Sequence, residues 1–405
     1  MTRHTEQPAK SRRPGAGQSR RRFLRSCAAL ALLAPSALPV RAGFISGRPG
    51  TLGEPDINGV RLPAGFRSRI VAVSGEPVPT TAHIWHHCPD GGAVFAQPDG
   101  GWIYASNSEQ DAPHGGVGAI RFASDGAVIN AYPILAGTGR NCAGGATPWG
   151  TWLSCEERDT GAVWECDPAG HEPARKHPPL GYFAHEAAAV DPVTGQVYMT
   201  EDEADGRLYR FTPHPLPGLG RLEQGVLEVA VVDSAGTVRW RPVPEPNPLL
   251  LPLLGQTATR RQVPESTPFN GGEGIWLSGR ELYFATKGDR RVWRLDLDLS
   301  RLHLVYRGQP VADGRPAGVD NLAGCDDGRI LIAEDHGAMR LILMDRHGNA
   351  APLLQVVGHD QSELTGPAFA PCRRRLYFSS QRGPDDGPLA GRGITFEVSA
   401  PIPFG

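Results

Sequence analysis

The sequence predicts an all-β fold, a six-bladed β-propeller. Short apolar runs that end in polar or acidic residues recur along the chain, at spacings of 48, 46, 85, 48 and 46 residues. A repeat period in the forties, built from strands, is typical of propeller blades. Hairpin signals such as Asp205-Gly206 and Gly288-Asp289 follow the runs, and helical periodicity is nearly absent.

Each of the six runs predicts one blade. The positions on which the runs align are Tyr104, Trp152, Tyr198, Tyr283, Leu331 and Tyr377. The long interval after Tyr198 contains a segment around residues 213–268 that is rich in proline and leucine and lacks the closing pattern of a repeat. We therefore expect an insertion there rather than a missing blade, and a single propeller domain over residues 43–405.

Residues 1–42 are predicted to be a twin-arginine export signal. Ser19-Arg20-Arg21-Arg22-Phe23-Leu24-Arg25 is followed by an apolar stretch from Ala28 to Ala34 and by small residues around Ala42. The apolar stretch is too short to span a bilayer stably. These features predict a periplasmic or secreted protein that uses the twin-arginine export machinery and has no stable membrane span.

The charge balance of the exported part excludes nucleic acid as a partner. Residues 1–42 hold nine of the Lys and Arg residues and one acidic residue, so the remainder has 32 basic and 42 acidic residues. The negatively charged phosphates of nucleic acids favour binding to a basic surface, and the exported part of this chain is acidic overall. The acidic balance fits a protein that binds cations, and we expect it to be a monomer.

The cysteines beyond the signal would lie in an oxidising compartment, where disulfides persist. Cys155 and Cys166 stand on either side of a hairpin turn near Thr160-Gly161. They could therefore face each other across two antiparallel strands, although the geometry of a bridge is demanding. The other interpretation is two buried or unpaired thiols.

Acidic residues gather at the ends of the repeated runs. Another set stands ten to twelve residues before the alignment positions, near the start of the predicted inner strand of each blade. The combined candidates are Glu109, Glu156, Glu157, Glu186, Glu201, Asp202, Glu273, Asp320, Glu334 and Asp335, with Asn107, Asn321 and Cys142 beside them. Carboxylates packed together without cations would be partly protonated, so their recurrence in register predicts a metal site in the central channel.

The residue types also indicate which cations are expected. Calcium takes oxygen ligands from Asp, Glu and Asn, whereas the thiolate of Cys142 points to a transition metal. A single acidic pair at a strand end is usually a solvated loop position, and only the recurrence argues otherwise. His185 fits a hydrogen-bonded structural role better than a ligand role. Nucleophile-elbow, phosphate-loop and His-Glu-x-x-His motifs are absent, so a hydrolytic enzyme would use an oxygen nucleophile activated by metal.

Several segments together resemble the PhoX-type alkaline phosphatases. They are RNCAGGATPWGTWLSCEE (140–157), FAHEAAAVDP (183–192), VYMTEDEADGRLYRFTP (197–213), FNGGEGIW (269–276), GVDNLA (318–323) and ILIAEDHG (330–337). The resemblance runs in order over nearly all of the chain beyond the signal, and the first two segments are the most specific.

The resemblance implies a phosphoesterase that hydrolyses small-molecule phosphate esters through a metal-bridging oxo or hydroxo group. It implies iron (Fe³⁺) and calcium as cofactors, with Asn107 contacting substrate. The implied iron ligands are Cys142, Glu186 and Glu273, which with Asn107 form the predicted catalytic set. The implied calcium ligands are Glu156, Glu157, Glu201, Asp320 and Glu334, with Asn321 beside them in the metal site.

The chain departs from the family pattern at one substrate-binding position. Gly271 stands two residues before Glu273, where the family is expected to have an arginine. A guanidinium is a major part of phosphate recognition, so Lys287, Arg382 or Arg140 would have to replace it. Alternatively, this branch acts weakly or on a different ester.

Two other functions remain open at this stage. A calcium-dependent lactonase would polarise a lactone carbonyl through a single calcium ion, although Cys142 does not suit that site. A non-catalytic binding propeller, braced by its ions, would be consistent with Gly271. Propellers host many functions, so the fold does not choose among them.

Overall fold

A computed structural model describes residues 51–214, 220–249, 256–308 and 318–404. Within these ranges 26 β-strands form six antiparallel sheets, which confirms the predicted six-bladed propeller. Single 3-10 turns occur at Pro178–Leu180 and Thr259–Arg261. No helix in the described ranges has the length and apolar character of a membrane span. The predicted signal, residues 1–42, lies outside the described residues.

The first strands of the chain complete blades that are otherwise formed near its end. These strands are β1 (Val60–Arg61) and β2 (Arg67–Val73). Blade 1 contains β3 (Pro89–Ala96), β4 (Trp102–Ser108), β5 (Gly115–Phe122) and β6 (Val128–Thr138). Blade 2 contains β7 (Asn141–Ala146), β8 (Trp152–Glu156), β9 (Val163–Cys166) and β10 (Arg175–Lys176).

The middle blades follow in chain order. Blade 3 has five strands: β11 (His185–Val190), β12 (Val197–Glu201), β13 (Leu208–Pro213), β14 (Gly225–Val232) and β15 (Val238–Pro242). Blade 4 contains β16 (Gly272–Ser278), β17 (Glu281–Thr286), β18 (Arg291–Asp296) and β19 (Arg301–Arg307).

The last two blades combine strands from both parts of the chain. Blade 5 joins β20 (Leu322–Gly324), β21 (Ile330–Ala333), β22 (Arg340–Met344) and β23 (Ala350–Val356) to β1. Blade 6 joins β24 (Leu364–Phe369), β25 (Arg375–Ser380) and β26 (Ile394–Ser399) to β2. The pairing of β2 with β26 runs from Arg67 opposite Ser399 to Val73 opposite Ile394, and it closes the ring.

The six inner strands, β3, β7, β11, β16, β20 and β24, pack against one another around the central channel. Small residues allow this close approach. A Cβ at Gly145 of β7 would lie 1.8 Å from the carbonyl oxygen of Ala188 in β11, so only glycine fits there. The inner strands consequently bring their first residues close together at one end of the channel.

The core of the propeller lies between neighbouring blades. Six apolar clusters occupy the six blade interfaces of the described chain. Between blades 1 and 6, for example, the rings of Tyr104 and Tyr377 stack with centroids 5.3 Å apart. Each blade packs on both of its neighbours, so the core consists of separate interfaces between blades. No single core has to become larger as the chain becomes longer.

The segment predicted as an insertion, residues 213–268, contributes to blade 3. It provides the outer strands β14 and β15. Farther along, the turn at Thr259–Arg261 brings the Arg260 guanidinium to 3.2 Å from the Glu201 carboxylate at the end of β12. The segment therefore builds and braces one blade within its described parts.

Cys155 and Cys166 do not form the possible bridge, and the other interpretation, two buried and unpaired thiols, is correct. The two strands that carry them are neighbours in a hairpin, as expected, but Cys155 is opposite Val163 and Cys166 is opposite Trp152. Side chains alternate along a strand, so the two thiols point to opposite faces of the blade. The thiol of Cys155 packs between blades 2 and 3, and that of Cys166 between blades 1 and 2. The six cysteines of the described chain are all free.

Candidate metal centre

β-Bulges occur at the same place in five of the inner strands. The register with the second strand shifts between Pro89 and Gly92, Asn141 and Gly144, His185 and Ala188, Gly272 and Ile275, and Thr365 and Ala368. A bulge leaves residues out of the ladder and turns their side chains in a new direction. Four of these bulges contain a potential ligand: Asp90, Cys142, Glu186 and Glu273.

Seven side chains form a continuous cluster at this end of the channel, which we call the acidic cluster. It consists of Asp90, Glu109, Cys142, Glu157, Glu186, Glu273 and Asp320. Within each of three groups, one ligand atom per residue lies within 4.8 Å of the others: Asp90 with Glu109 and Cys142, Cys142 with Glu157 and Glu186, and Glu186 with Glu273 and Asp320. Because Cys142 and Glu186 are shared between groups, the cluster extends from blade 1 to blade 5.

Glu186 is the most exceptional member of the cluster. It is 1% exposed, and neither of its carboxylate oxygens accepts a hydrogen bond from a nitrogen or oxygen donor of the described residues. Burial, reinforced by the neighbouring Asp320 and Glu157, raises the pKa of Glu186 well above its ordinary value. A buried carboxylate without donors is costly, and cations remove that cost.

Neighbouring members of the cluster are perturbed in the same direction. Burial, then repulsion from Glu109, raises the pKa of Glu157 to about 8. Burial, then Asp335, raises the pKa of Asp320 to about 7. The pKa of the Cys142 thiol is raised well above its ordinary value by burial and by the nearby carboxylates. Such a cluster holds its full negative charge only with compensating cations.

Three basic side chains surround the acidic cluster. The ion pairs join Arg140 to Glu109 and Glu157 at 3.1 Å each, Lys287 to Asp202 and Glu273 at 2.8 Å each, and Arg382 to Glu363 at 3.1 Å. These are the three residues predicted as possible replacements for the guanidinium that Gly271 cannot provide, and all three lie at the site. Their side chains are about two-fifths exposed, at 43%, 40% and 45%, so they face the opening of the channel.

Three predicted calcium ligands lie outside the three groups. Each stands at or just after the end of the second strand of its blade and accepts hydrogen bonds from an arginine side chain and a backbone N–H. The donors are Arg158 and the N–H of Ala162 for Glu156, Arg260 and the N–H of Arg207 for Glu201, and the side chain and the N–H of Arg340 for Glu334. Their carboxylates are therefore satisfied by protein donors. In two of the three runs the next residue, Glu157 or Asp202, contacts the cluster or its lysine instead. The metal role of Glu156, Glu201 and Glu334 stays a prediction.

Asn107 is fully buried beneath the Cys142 bulge. Its Nδ2 donates to the carbonyl oxygens of Cys142 at 3.1 Å and Ala143 at 2.7 Å. Its Oδ1 accepts from Trp152 Nε1 at 2.8 Å and Ser154 Oγ at 3.0 Å. Both amide protons of Asn107 are therefore engaged within the protein. The predicted contact of Asn107 with substrate stays a prediction.

Asn321 connects the cluster to blade 6. Its Nδ2 donates to Asp320 Oδ1 at 2.7 Å, and its Oδ1 accepts from the N–H of Gly366 at 2.8 Å. The first bond orients the Asp320 carboxylate. Asn321 therefore positions a cluster member, with its amide oxygen already engaged.

Two further acidic residues lie at the site, Asp90 and Glu363, which are not among the residues predicted from the sequence. Asp90 is a member of the cluster, with its Oδ2 held by Gln381 Nε2 at 2.5 Å. Glu363 is 8% exposed, and burial with its acidic neighbours raises its pKa well above the ordinary value. Both stand 14 residues before an alignment position, Tyr104 and Tyr377. A search at that offset in all six repeats would have found them.

His185 has the structural role that its position suggested. Its Nε2 lies 3.0 Å from the carbonyl oxygen of Gly181, and its ring stacks on Phe183 with centroids 3.5 Å apart. Burial lowers the pKa of His185 to about 3, so the ring is neutral. Next to the bulge residue Glu186, it anchors the start of β11.

The residues present fit a mixed set of cations. The cluster supplies carboxylate oxygens, which hard cations such as calcium prefer, and one thiol, which suits a transition metal. The orphaned oxygens of Glu186 lie between the thiol-containing groups and the all-carboxylate group. The fold and this site together define a six-bladed propeller with a buried acidic cluster, suited to cations, at one end of its channel.

The family of the chain follows from a sequence comparison. The model of the family described as alkaline phosphatase PhoX matches residues 104–168 and 158–384, well over half of the chain. The chain therefore belongs to the PhoX family of alkaline phosphatases, which confirms the resemblance that its segments predicted. It is a phosphoester hydrolase of the alkaline phosphatase type. A comparison with curated protein sequences finds no match.

Solved structures support the fold. PhoX of Pseudomonas fluorescens, in complex with the transition-state analogue vanadate, is 17% identical, with a TM-score of 0.69 over 86% of this chain and 98% of that chain. A Bacteroides thetaiotaomicron protein of unknown function is 9% identical, with a TM-score of 0.50 over 82% of this chain and 76% of that one.

Proposed function

We propose that the protein is an exported phosphoesterase that depends on iron and calcium and hydrolyses small-molecule phosphate esters. The observation that carries this proposal is the Glu186 carboxylate, which is buried at the centre of the acidic cluster and accepts no hydrogen bond from a nitrogen or oxygen donor within the described chain. Such a group stays ionised only when a cation binds it, because burial without compensation favours the protonated form. Membership in an alkaline phosphatase family supports phosphate esters as the substrate class.

The ligand types suggest how the cations would be distributed. Cys142, Glu186 and Glu273 would hold iron, because the thiol is the one soft donor among the clustered residues. Glu157 and Asp320 would contribute oxygens to calcium. For Glu156, Glu201 and Glu334 to join them, the ion pairs with Arg158, Arg260 and Arg340 would have to open.

Bound iron and calcium would supply Lewis acidity and would activate an oxygen nucleophile. The chain's own residues would do the rest. The partly exposed Arg140 and Arg382 would bind the nonbridging oxygens of the ester phosphate at the opening of the channel. The bulge of Cys142, fixed by Asn107 beneath it, would hold this ligand in place before substrate arrives, so little reorganisation would be needed there.

Purified native protein tests the proposal. We expect it to contain iron and calcium, to hydrolyse a chromogenic phosphate monoester at alkaline pH, and to lose that activity with a strong chelator. Glu186→Gln should lose both bound metal and activity, whereas the exposed Glu172→Gln should keep them. Full activity in Glu186→Gln would refute the mechanism. Calcium without iron, together with lactone hydrolysis, would favour the lactonase, and phosphate binding without turnover would favour a binding propeller.

Export is a separate part of the proposal, motivated by Ser19-Arg20-Arg21-Arg22-Phe23-Leu24-Arg25 and the small residues before position 43. The expected location is the periplasm or the medium. Changing Arg20 and Arg21 to lysine should retain the protein in the cytoplasm, as measured by cell fractionation. Processing and export that persist in this double variant would exclude the twin-arginine route.

A further inference from the structure

Lys287 lies between two carboxylates at the edge of the acidic cluster. Its Nζ is 2.8 Å from Asp202 Oδ2 and 2.8 Å from Glu273 Oε1. Glu273 is fully buried, with 1% of its surface exposed. The ammonium therefore stands where two acidic groups would otherwise share a cation.

The local backbone is built to hold this side chain in place. The N–H of Lys287 donates to the carbonyl oxygen of Gly271 at 2.8 Å, and the N–H of Gly288 donates to that of Asn270 at 3.1 Å. Gly271 has a φ of +68°, and a Cβ there would lie 3.2 Å from Lys287 Cγ and 3.2 Å from Asp202 Oδ1. The lysine stem thus occupies the space beside Gly271, and any side chain at 271 would press against it.

The residue type at position 287 is also unusual for this chain. Of the 41 Lys and Arg residues of the chain, only three are lysine: Lys10, Lys176 and Lys287. The other two basic residues at the cluster, Arg140 and Arg382, have planar guanidiniums. An ammonium is a compact point charge, closer in shape to a metal ion than a guanidinium is. Most basic residues of this chain are therefore arginine, and Lys287 is the one lysine at the channel within the described residues. It stands where a small, round cation fits.

We propose that Lys287 is a tethered counter-ion that takes the place of a divalent cation between Asp202 and Glu273. The proposal rests on the proposed function in one respect, that the acidic cluster binds cations. It adds that this edge of the cluster is neutralised by the protein itself. The wild-type site consequently binds fewer divalent cations than its carboxylates could hold.

The test is the metal content and stability of Lys287→Met, which keeps most of the stem and removes the charge. Elemental analysis after equilibration with excess calcium should give about one more calcium per chain in the variant than in the wild type. In chelator, the variant should unfold at a lower temperature than the wild type, and calcium should raise its melting temperature more. Lys287→Arg should keep the wild-type calcium content, and Lys176→Met, at a partly exposed site, should behave as the wild type does.

Each possible result supports or contradicts the proposed role of Lys287 or the metal centre on which it rests. Equal calcium content and an equal calcium-dependent shift in melting temperature for Lys287→Met and wild type would overturn the role of Lys287. If the variant folds only when calcium is present, an ion has replaced the ammonium, which supports the proposal. If it does not fold even with calcium, no ion can take that place and the proposal fails. A wild type that binds no cation would instead refute the proposed metal centre.

Discussion

Asn107 Nδ2 donates to the carbonyl oxygen of Cys142 at 3.1 Å and so ties the second strand of blade 1 to the inner strand of blade 2. The same nitrogen donates to Ala143 at 2.7 Å. A bulge has lost part of its ladder, and these two bonds replace what the strand itself does not supply. The position of the candidate iron ligand thus depends on a residue of the neighbouring blade.

Replacing Asn107 should therefore destabilise the protein and disturb metal binding. Asn107→Leu leaves two carbonyl oxygens and the Trp152 and Ser154 donors without partners, and we expect a loss of about 3 kcal/mol in the free energy of unfolding. The variant should also retain less iron. Denaturant unfolding and elemental analysis measure both effects, with the exposed Asn130→Leu as control. Wild-type stability with loss of turnover alone would instead indicate a substrate contact.

The repeat, the blade number and the bulge segments of Cys142, Glu186 and Glu273 could be predicted from the sequence, because they depend on local periodicity. Which residue of an acidic pair faces the channel could not. Glu156 and Glu157 are adjacent, yet Glu156 turns to Arg158 and the backbone, while Glu157 joins the cluster. The Arg260 partner of Glu201 is 59 residues away, which no local pattern reveals.

Glu201 and Glu186 should respond differently to the same substitution. Glu201→Gln removes one of three carboxylates that bind the Arg260 guanidinium, while Glu203 and Asp205 remain. Losing one charge-assisted bond to a largely buried group should cost about 2 kcal/mol. We expect lower stability with bound metal retained. Glu186→Gln should lose metal while the metal-free protein is as stable as the wild type or more so. Elemental analysis beside thermal unfolding separates the two, and metal loss in Glu201→Gln would support its predicted role as a calcium ligand.

Three hydrogen bonds to the Glu165 carboxylate, far from the cluster, predict a distinct pH dependence. Burial alone would raise the pKa of Glu165, but bonds from His177, Thr151 and Trp149 lower it from 4.5 to about 2. A depressed pKa stabilises the fold above the unfolded value, and that stability is lost as the pH falls from about 4.5 to about 2.

Glu165→Gln should therefore cost about 2 kcal/mol at pH 7, the value of a charge-assisted bond. The difference from wild type should shrink as the pH falls below about 4.5. Denaturant unfolding at pH 7, 5 and 3 measures it, with the exposed Glu172→Gln as control. A difference that is constant across these pH values would show that the Glu165 charge is not responsible.

The metal-free acidic cluster should give the opposite trend. Burial first, with nearby acidic groups, raises the pKa of Glu157 from 4.5 to about 8 and that of Asp320 from 3.8 to about 7. At pH values between the unfolded and the folded pKa of each group, the unfolded chain has released a proton that the folded chain still holds. Folding stability therefore falls as the pH rises. We expect the melting temperature in chelator to decrease from about pH 4 to about pH 8. Bound cations favour the ionised carboxylates and should remove this decrease. Asp320→Asn should flatten the profile in chelator, and a metal-free wild type whose stability does not change over this range would contradict a cluster that requires cations to be ionised.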